Sequence, residues 1–307
     1  MLITGATGLL GSEILALSPG SVGLNSRDCD LSESNHAILT LEDDRVETVI
    51  HCAARVGGVK ANTDYVADFF DDNVKMNMNV LDACRERKLK LVSVLSTCIY
   101  PDAPYVKYPL TEDQLHMGPP HPSNFGYAYA KRMLEVQARA YRQQHGCNFI
   151  SVIPNNLYGL NDNYDLNSGH VIPALIRKFH EAIISDKRDV VIWGTGKPLR
   201  EFTFARDAAK IVLWLAKHYD GETPVNIGNT QQVSIESLAL AISAEMCYKG
   251  TIRFDTSKPD GQYMKPSSNS FLRSLGWKEE YTPLRVGLAE TIKSFKERYP
   301  NVRGVTI

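Results

Sequence analysis

The chain has no run of 18 or more apolar residues, so no single segment is long and apolar enough to cross a bilayer as a helix. It has no CxxC pair either: Cys29, Cys52, Cys84, Cys98, Cys147 and Cys247 are scattered. Such spacing supports neither a disulfide framework nor a zinc site. No metal is therefore expected, and a reducing, cytoplasmic setting fits best. A charge excess is also missing, with 34 Lys+Arg against 35 Asp+Glu. Without a basic field a dedicated nucleic-acid surface is excluded, but a local basic pocket for a small phosphorylated ligand is not. Met1-Leu2-Ile3-Thr4-Gly5 already reads as a strand entering a turn, so no signal or transit segment is expected. No internal repeat or low-complexity tract interrupts the 307 residues, a length that suits one large α/β domain or two joined ones.

What is present is alternation. Short apolar or β-branched runs predict strands at 1–4, 21–24, 46–52, 91–96 and 149–154, and helical patterns fall at 9–17, 35–41, 68–87 and 127–145. In the third of these helices Val74, Met78, Val80, Leu81 and Cys84 form an apolar face. This order implies a parallel sheet covered on both faces. Further on, 171–184 reads as an amphipathic helix with Ile172, Leu175, Ile176, Phe179 and Ile183 on one face. A strand at 190–193, helices at 207–218 and 234–246 with Ser234 as N-cap, a strand at 251–254 and an irregular polar stretch at 258–270 follow. The expected fold is α/β: a Rossmann-type doubly wound parallel sheet from 1–158 plus about 203–230, with a smaller C-terminal α/β substrate lobe from 159–202 and 231–307.

Gly5-Ala6-Thr7-Gly8-Leu9-Leu10-Gly11 follows the first strand and opens the first helix. Glycines permit a tight turn and close backbone approach to a pyrophosphate, and the helix N-terminus offers N–H groups to the phosphates. The strand–turn–helix context makes this a dinucleotide loop. At the end of the second strand an acid would bind the ribose 2′-OH of NAD, whereas a base suits the 2′-phosphate of NADP. Here stands Asn25-Ser26-Arg27-Asp28. Arg27 favours NADP, Asp28 competes, and a solvated surface arginine is the plainer alternative.

Tyr127 and Lys131 are four apart, on one helix face. A neighbouring ammonium is expected to lower the phenol pKa and help Tyr127 donate a proton to a carbonyl oxygen as hydride arrives. Tyr129 is a rival at the wrong spacing. Ser96 ends the fourth predicted strand, at the sheet edge where open α/β folds bind ligands. The glycine turn, the strand-end serine and Tyr-x-x-x-Lys together resemble the extended short-chain dehydrogenase/reductase superfamily. If strand geometry persists, Cys98 faces the same side as Ser96. His170 starts the helix that opens the second lobe. A thiol and an imidazole beside a ketone can remove and return protons on the flanking carbons, with Ser96 and Tyr127 stabilising the enolate oxygen. Spacing alone favours the plainer readings, Cys98 as a small buried hydrophobe and His170 as a helix-start cap or satisfied polar group.

Longer runs carry a closer resemblance: His51-Cys52-Ala53-Ala54-Arg55-Val56-Gly57-Gly58-Val59, Ser96-Thr97-Cys98-Ile99-Tyr100-Pro101, Pro154-Asn155-Asn156-Leu157-Tyr158-Gly159, Gly169-His170-Val171-Ile172-Pro173 and Lys258-Pro259-Asp260-Gly261. From the first strand to about Trp277 the sequence resembles the GDP-L-fucose synthase family. That resemblance implies epimerisation of GDP-4-keto-6-deoxy-D-mannose at C3 and C5, then reduction at C4 by NADPH. Cys98 and His170 would be the epimerisation acid/base pair, and Ser96, Tyr127 and Lys131 would carry the reduction. NADP(H) would contact Gly5, Thr7, Gly8, Leu9, Leu10, Gly11, Arg27, Asp30, Leu31, Ala53, Ala54, Tyr127, Lys131, Pro154, Asn156, Leu157 and His170. The GDP-sugar would contact Asn155, Val171, Lys178, Trp193, Arg200 and Lys258. Lys178 stands where some relatives carry Arg, and Leu9 where some carry a basic residue. A homodimer is also implied. Two alternatives stay open: a C4-reductase of another GDP-4-keto sugar such as a heptose, and a non-catalytic NADP-binding sensor.

Overall fold

The structure, a computed structural model, describes residues 1–35, 38 and 46–306. The helix predicted at 35–41 lies outside the described residues apart from Asn35 and Ile38. The other first-half elements appear as β1 (Leu2–Thr4), α1 (Leu9–Leu17), β2 (Val22–Leu24), β3 (Thr48–His51), α2 (Val59–Asp64), α3 (Val66–Glu86), β4 (Lys90–Val94), α4 (Phe125–His145) and β5 (Phe149–Ile153). The short helix α2 was not foreseen. The second half supplies β6 (Asn156–Tyr158), α5 (Val171–Ile184), β7 (Asp189–Trp193), β8 (Leu199–Phe204), α6 (Ala205–His218), β9 (Val225–Asn226), β10 (Gln232–Ser234), α7 (Ile235–Glu245), β11 (Thr251–Asp255), α8 (Ser270–Ser274) and α9 (Leu284–Arg298).

Six strands form the main sheet in the order β2-β1-β3-β4-β5-β9, every pairing parallel. The two-residue pleat sorts neighbours to opposite faces. Leu2, Val49, Leu91 and Phe149 pack with Val80, Leu81 and Cys84 of α3 and Leu134 and Ala138 of α4. Ile3, Ile50, Val92 and Ile150 pack with Leu10 and Ile14 of α1 and Ile211, Val212 and Leu215 of α6. Each of the Val, Leu, Ile and Phe side chains among them contributes about 1.5–3 kcal/mol by leaving water. Met78 departs from expectation: it is 46% exposed, on the outer face of α3.

The smaller lobe has its own core. Ile172, Leu175, Ile176 and Phe179 of α5 meet Val190 and Ile192 of β7, Phe202 and Phe204 of β8, Leu238 and Ile242 of α7, and Phe295 of α9. Ile183, expected on the same face of α5, is 41% exposed at the last turn. The helix at 235–245 is capped as its sequence suggests, Ser237 N–H donating to Ser234 Oγ at 3.0 Å. β10, β8 and β6 form a three-stranded sheet, and β11 pairs with β7. The chain then returns to the first lobe: Leu272 and Trp277 pack in the core beneath α1 and α6.

Candidate active site

Strand order reverses at β1, between β2 and β3, so a crevice opens outside the carboxyl ends of β1 and β3. The glycine loop fills its rim. Gly5 has φ +65°, and a Cβ there would lie 2.8 Å from Ala53 N; a Cβ on Gly11 would lie 2.3 Å from Gly5 O. Only bare backbone allows this fold of 5–11 against the loop after β3. Gly8 caps α1 without a side-chain bond, so the first N–H groups of α1 stay available to an anion. Beneath the loop, Ala53 N–H donates to Thr4 Oγ1 (3.1 Å), which bonds His51 Nδ1 (2.8 Å). His51 Nε2 meets Asn77 Oδ1 at 3.1 Å. Burial lowers the His51 pKa to about 3, so this ring is a neutral strut.

Asn25 N–H donates to the Asp28 carboxylate (2.9 Å), and Arg27 N–H to Asn25 Oδ1 (2.9 Å). The acid that competes for the ribose is thus turned into its own loop. Exposed Arg27 has no ion-pair partner among the described residues. Asp30 accepts from Ser32 N–H and Oγ, which lowers its pKa, and Leu31 lies in the core.

One expectation fails at the end of β4. The strand stops at Val94, and Thr97–Ile99 is a 3-10 turn that Ser96 caps, so alternation along a strand does not align Ser96 with Cys98. Thr97 N–H donates to Pro154 O (3.0 Å), which bends the chain out of the sheet. The cap brings the two together instead: Cys98 N–H donates to Ser96 Oγ at 3.4 Å. From α4, buried Lys131 donates from Nζ to Val94 O at 2.8 Å and sits 6.0 Å from the Tyr127 ring centroid. Tyr129 instead faces Phe125, ring centroids 5.1 Å apart.

A second expectation is reversed. Tyr127 is held well above the ordinary phenol range, because burial and the nearby Cys98 outweigh any ammonium effect. Lys131 itself is lowered by burial to about 8. Cys98 is raised by burial, and Lys265, Ser96 and Lys131 pull it back down. Tyr127 and Cys98 therefore rest with their protons on. His170 stands at the N-cap of α5, where it keeps solvent access although protein surrounds it, and those surroundings lower its pKa. Gly58 N–H donates to Ser168 O (2.8 Å), tying the loop after β3 to the segment that carries His170. Among the described residues the His170 ring has no hydrogen-bond partner, and no hydrogen bond or ring contact joins it to Cys98 or Tyr127.

Lys265 was not foreseen. It lies in the stretch read only as polar and irregular, is lowered by burial, and faces Cys98, Arg200 and Glu201. Sequence spacing holds no signal for it, since its neighbours are 64 or more residues away. Of the other expected residues, Lys258 Nζ lies 5.6 Å from the Trp193 ring centroid, and Trp193 is 53% exposed. Asp260 accepts from Thr195 N–H (2.6 Å) and Oγ1 (2.8 Å), holding this wall together. Arg200 bonds the carbonyls of Leu199 (2.8 Å) and Tyr263 (3.3 Å), and Lys178 that of Val191 (3.0 Å). Burial lowers both cations. Asn155 is buried with its carboxamide engaged by Glu201, Asn229 and Thr203, so its side chain braces the floor.

A glycine-rich helix N-terminus at a sheet switch point, beside a serine, a tyrosine and a buried lysine, defines a dinucleotide-dependent oxidoreductase of the α/β class. The sequence profile of the NAD dependent epimerase/dehydratase family matches residues 1–228. The chain is 43% identical to a GDP-L-fucose synthase of Dictyostelium discoideum over 99% of its own length and 97% of the relative's. A GDP-L-fucose synthetase from Naegleria fowleri bound to NADP superposes with a TM-score of 0.89 and 40% identity, covering 98% of this chain and 94% of that one. A GDP-6-OMe-4-keto-L-xylo-heptose reductase from C. jejuni superposes with a TM-score of 0.88 but only 27% identity, covering 97% of each. The chain belongs to the NAD dependent epimerase/dehydratase family and groups within it with the GDP-L-fucose synthases.

Proposed function

We propose that this chain converts GDP-4-keto-6-deoxy-D-mannose to GDP-L-fucose by epimerising C3 and C5 and reducing C4. The observation that carries this is the gathering of Ser96, Cys98, Tyr127 and Lys131 at the carboxyl end of β4. An NADP-bound relative at 40% identity supports the cofactor. In this chain the bare backbone of Gly5 and Gly11 and the N-terminus of α1 fit the pyrophosphate, and exposed Arg27 fits the 2′-phosphate. NADPH, when bound, supplies hydride to C4.

The resting protonation states divide the labour. Neutral His170 can take a proton from a carbon beside the ketone, and protonated Cys98 can return one from the other face. Ser96 and Tyr127 hold the enolate oxygen, and Tyr127 then protonates the C4 oxygen. Lys131 binds the nicotinamide ribose and keeps a cation beneath the phenol. Arg200, Lys178 and Lys265 place positive charge for the diphosphate, with Trp193 and Lys258 at the guanine end. In this reading 1–158 with about 203–230 holds the cofactor, and 159–202 with 231–307 takes the GDP-sugar. The enzyme works as a cytoplasmic homodimer. Six free thiols fit that compartment, and exposed Phe125, Met133 and Val136 on α4 fit a mate. Among the described residues no helix is long and apolar enough to cross a membrane.

The test is incubation with GDP-4-keto-6-deoxy-D-mannose and NADPH in deuterated water. GDP-L-fucose carrying deuterium at C3 and C5 is expected. Reduction without that label would make the chain a C4-reductase only. NADPH binding with no turnover of any GDP-4-keto sugar would make it a sensor.

A further inference from the structure

Two consecutive residues of α4 grip the catalytic turn at its two ends. Lys131 Nζ donates to Val94 O (2.8 Å), and Arg132 Nε donates to Ile99 O (2.6 Å). Between those carbonyls lie Ser96 and Cys98. Arg132 is only 8% exposed, its guanidinium packs over the Tyr129 ring at 5.6 Å, and its Nη2 is buried with no hydrogen-bond partner. A buried guanidinium with an unpaired N–H is costly to the fold. The Ile99 carbonyl accepts only from Nε, so the charge at Nη2 is not met by a hydrogen bond, and Cys98 lies within reach of the guanidinium charge.

The groups facing Cys98 are Lys265 from the returning 258–270 segment, Lys131 and Arg132 from α4, Tyr127 as a neutral phenol, and Ser96 Oγ. When Cys98 gives its proton to a substrate carbon, the S–H bond breaks, a C–H bond forms and the electron pair stays on sulfur. That thiolate arises in a buried place where only nearby cations offset its desolvation. We propose that Arg132 is a positioning residue for Cys98: it fixes the turn that carries the thiol and, with Lys131 and Lys265, stabilises the thiolate left after proton transfer. The inference rests on the reading of Cys98 as a proton carrier, and it can be tested apart from that reading.

The experiment follows alkylation of Cys98 by iodoacetamide against pH in the full-length protein without substrate. Peptide mass spectrometry separates Cys98 from the other five thiols. The R132M variant should raise the pH midpoint of alkylation by about half a unit or more, since a cation near a thiol lowers its pKa. R132K, which keeps the charge, should restore most of that shift. Solvent deuterium entry at C3 and C5 should fall about tenfold or more in R132M, with NADPH binding unchanged. Should R132M not fold, R132Q carries the same comparison with R132K. An unmoved midpoint in a folded, charge-free variant overturns the proposal, as does an R132K protein as impaired as R132M. If the wild-type protein shows no deuterium entry, the role of Cys98 in epimerisation falls while the alkylation midpoints still decide whether Arg132 acts on the thiol.

Discussion

Lys131 shows how much the site asks of one side chain. It is 1% exposed, its ammonium donates to the Val94 carbonyl, and burial brings its pKa from 10.5 to about 8. Unfolded, the amine keeps its proton to about pH 10.5; folded, it releases it near 8. Between those values the unfolded chain binds the extra proton, so stability rises with pH, by about 3 kcal/mol over the window. Lys131→Met removes this titration. Urea melts should show the wild type gaining on the variant by about that amount from pH 8 to 10.5, and a constant difference would refute the buried charge. The same variant should lose 4-keto reduction by at least about a hundredfold. At Tyr127, proximity in sequence to an ammonium suggested a lowered pKa, but spacing says nothing about burial, and burial dominates.

At the scale of elements, legibility follows how local each cause is. β1, β3, β4 and β5 are parallel strands buried along most of their length, so they read as apolar runs; β2, at the sheet edge, is only partly buried. α1 and α4 carry their periodicity within themselves. β8 defeats that logic, since Leu199-Arg200-Glu201-Phe202-Thr203-Phe204 buries an acid and a threonine. Glu201 accepts from Ser267 Oγ (2.7 Å), Ser267 N–H (3.1 Å) and Asn155 Nδ2 (3.2 Å), partners 66 and 46 residues away that a window of sequence cannot supply. The turn at Thr97 has the same origin, a bond to Pro154 from the neighbouring strand end. The tight glycine loop and the proximity of Tyr127 to Lys131 were readable because spacing itself sets that geometry; the place of Lys265 was not, because the returning segment sets it. Glu201→Gln keeps one acceptor oxygen but turns its amide N–H₂ toward the Ser267 N–H, itself a donor. It should cost about 1–3 kcal/mol in urea unfolding. By loosening the segment that carries Lys265 it should also raise KM for the GDP-sugar several-fold with KM for NADPH unchanged. An equal rise in both would mean that Glu201 serves stability alone. Gly11→Ala tests the other wall: its Cβ would lie 2.3 Å from Gly5 O, so NADPH binding should be lost, as read by titration of cofactor fluorescence.

Across the whole molecule, one buried titratable group in each lobe works against the other as pH changes. His51, under the glycine loop, is neutral down to about pH 3, whereas unfolded it titrates near 6.5. Its contribution is complete above 6.5 and is lost as pH falls toward 3. Asp162, beside the small-lobe core, has the opposite sign. Its Oδ1 accepts from Asn163 N–H (2.8 Å), but its Oδ2 is buried without a hydrogen-bond partner, as is Tyr164 Oη. Burial raises its pKa from 3.8 to about 7, despite the opposing charge of Arg303. The folded protein keeps this proton through the range where the unfolded chain has released it. Stability from Asp162 is therefore present below 3.8 and lost as pH rises to 7, a cost of about 4 kcal/mol once ionised. Asp162→Asn keeps the Oδ1 acceptor and cannot ionise. Relative to wild type it should therefore gain about 4 kcal/mol between pH 4 and pH 8 in denaturant unfolding. The sign of the difference at pH 4 depends on whether the new amide N–H₂ finds an acceptor in that pocket; the slope with pH does not. A variant whose stability runs parallel to wild type across that range would show that Asp162 ionises in the fold as freely as in water.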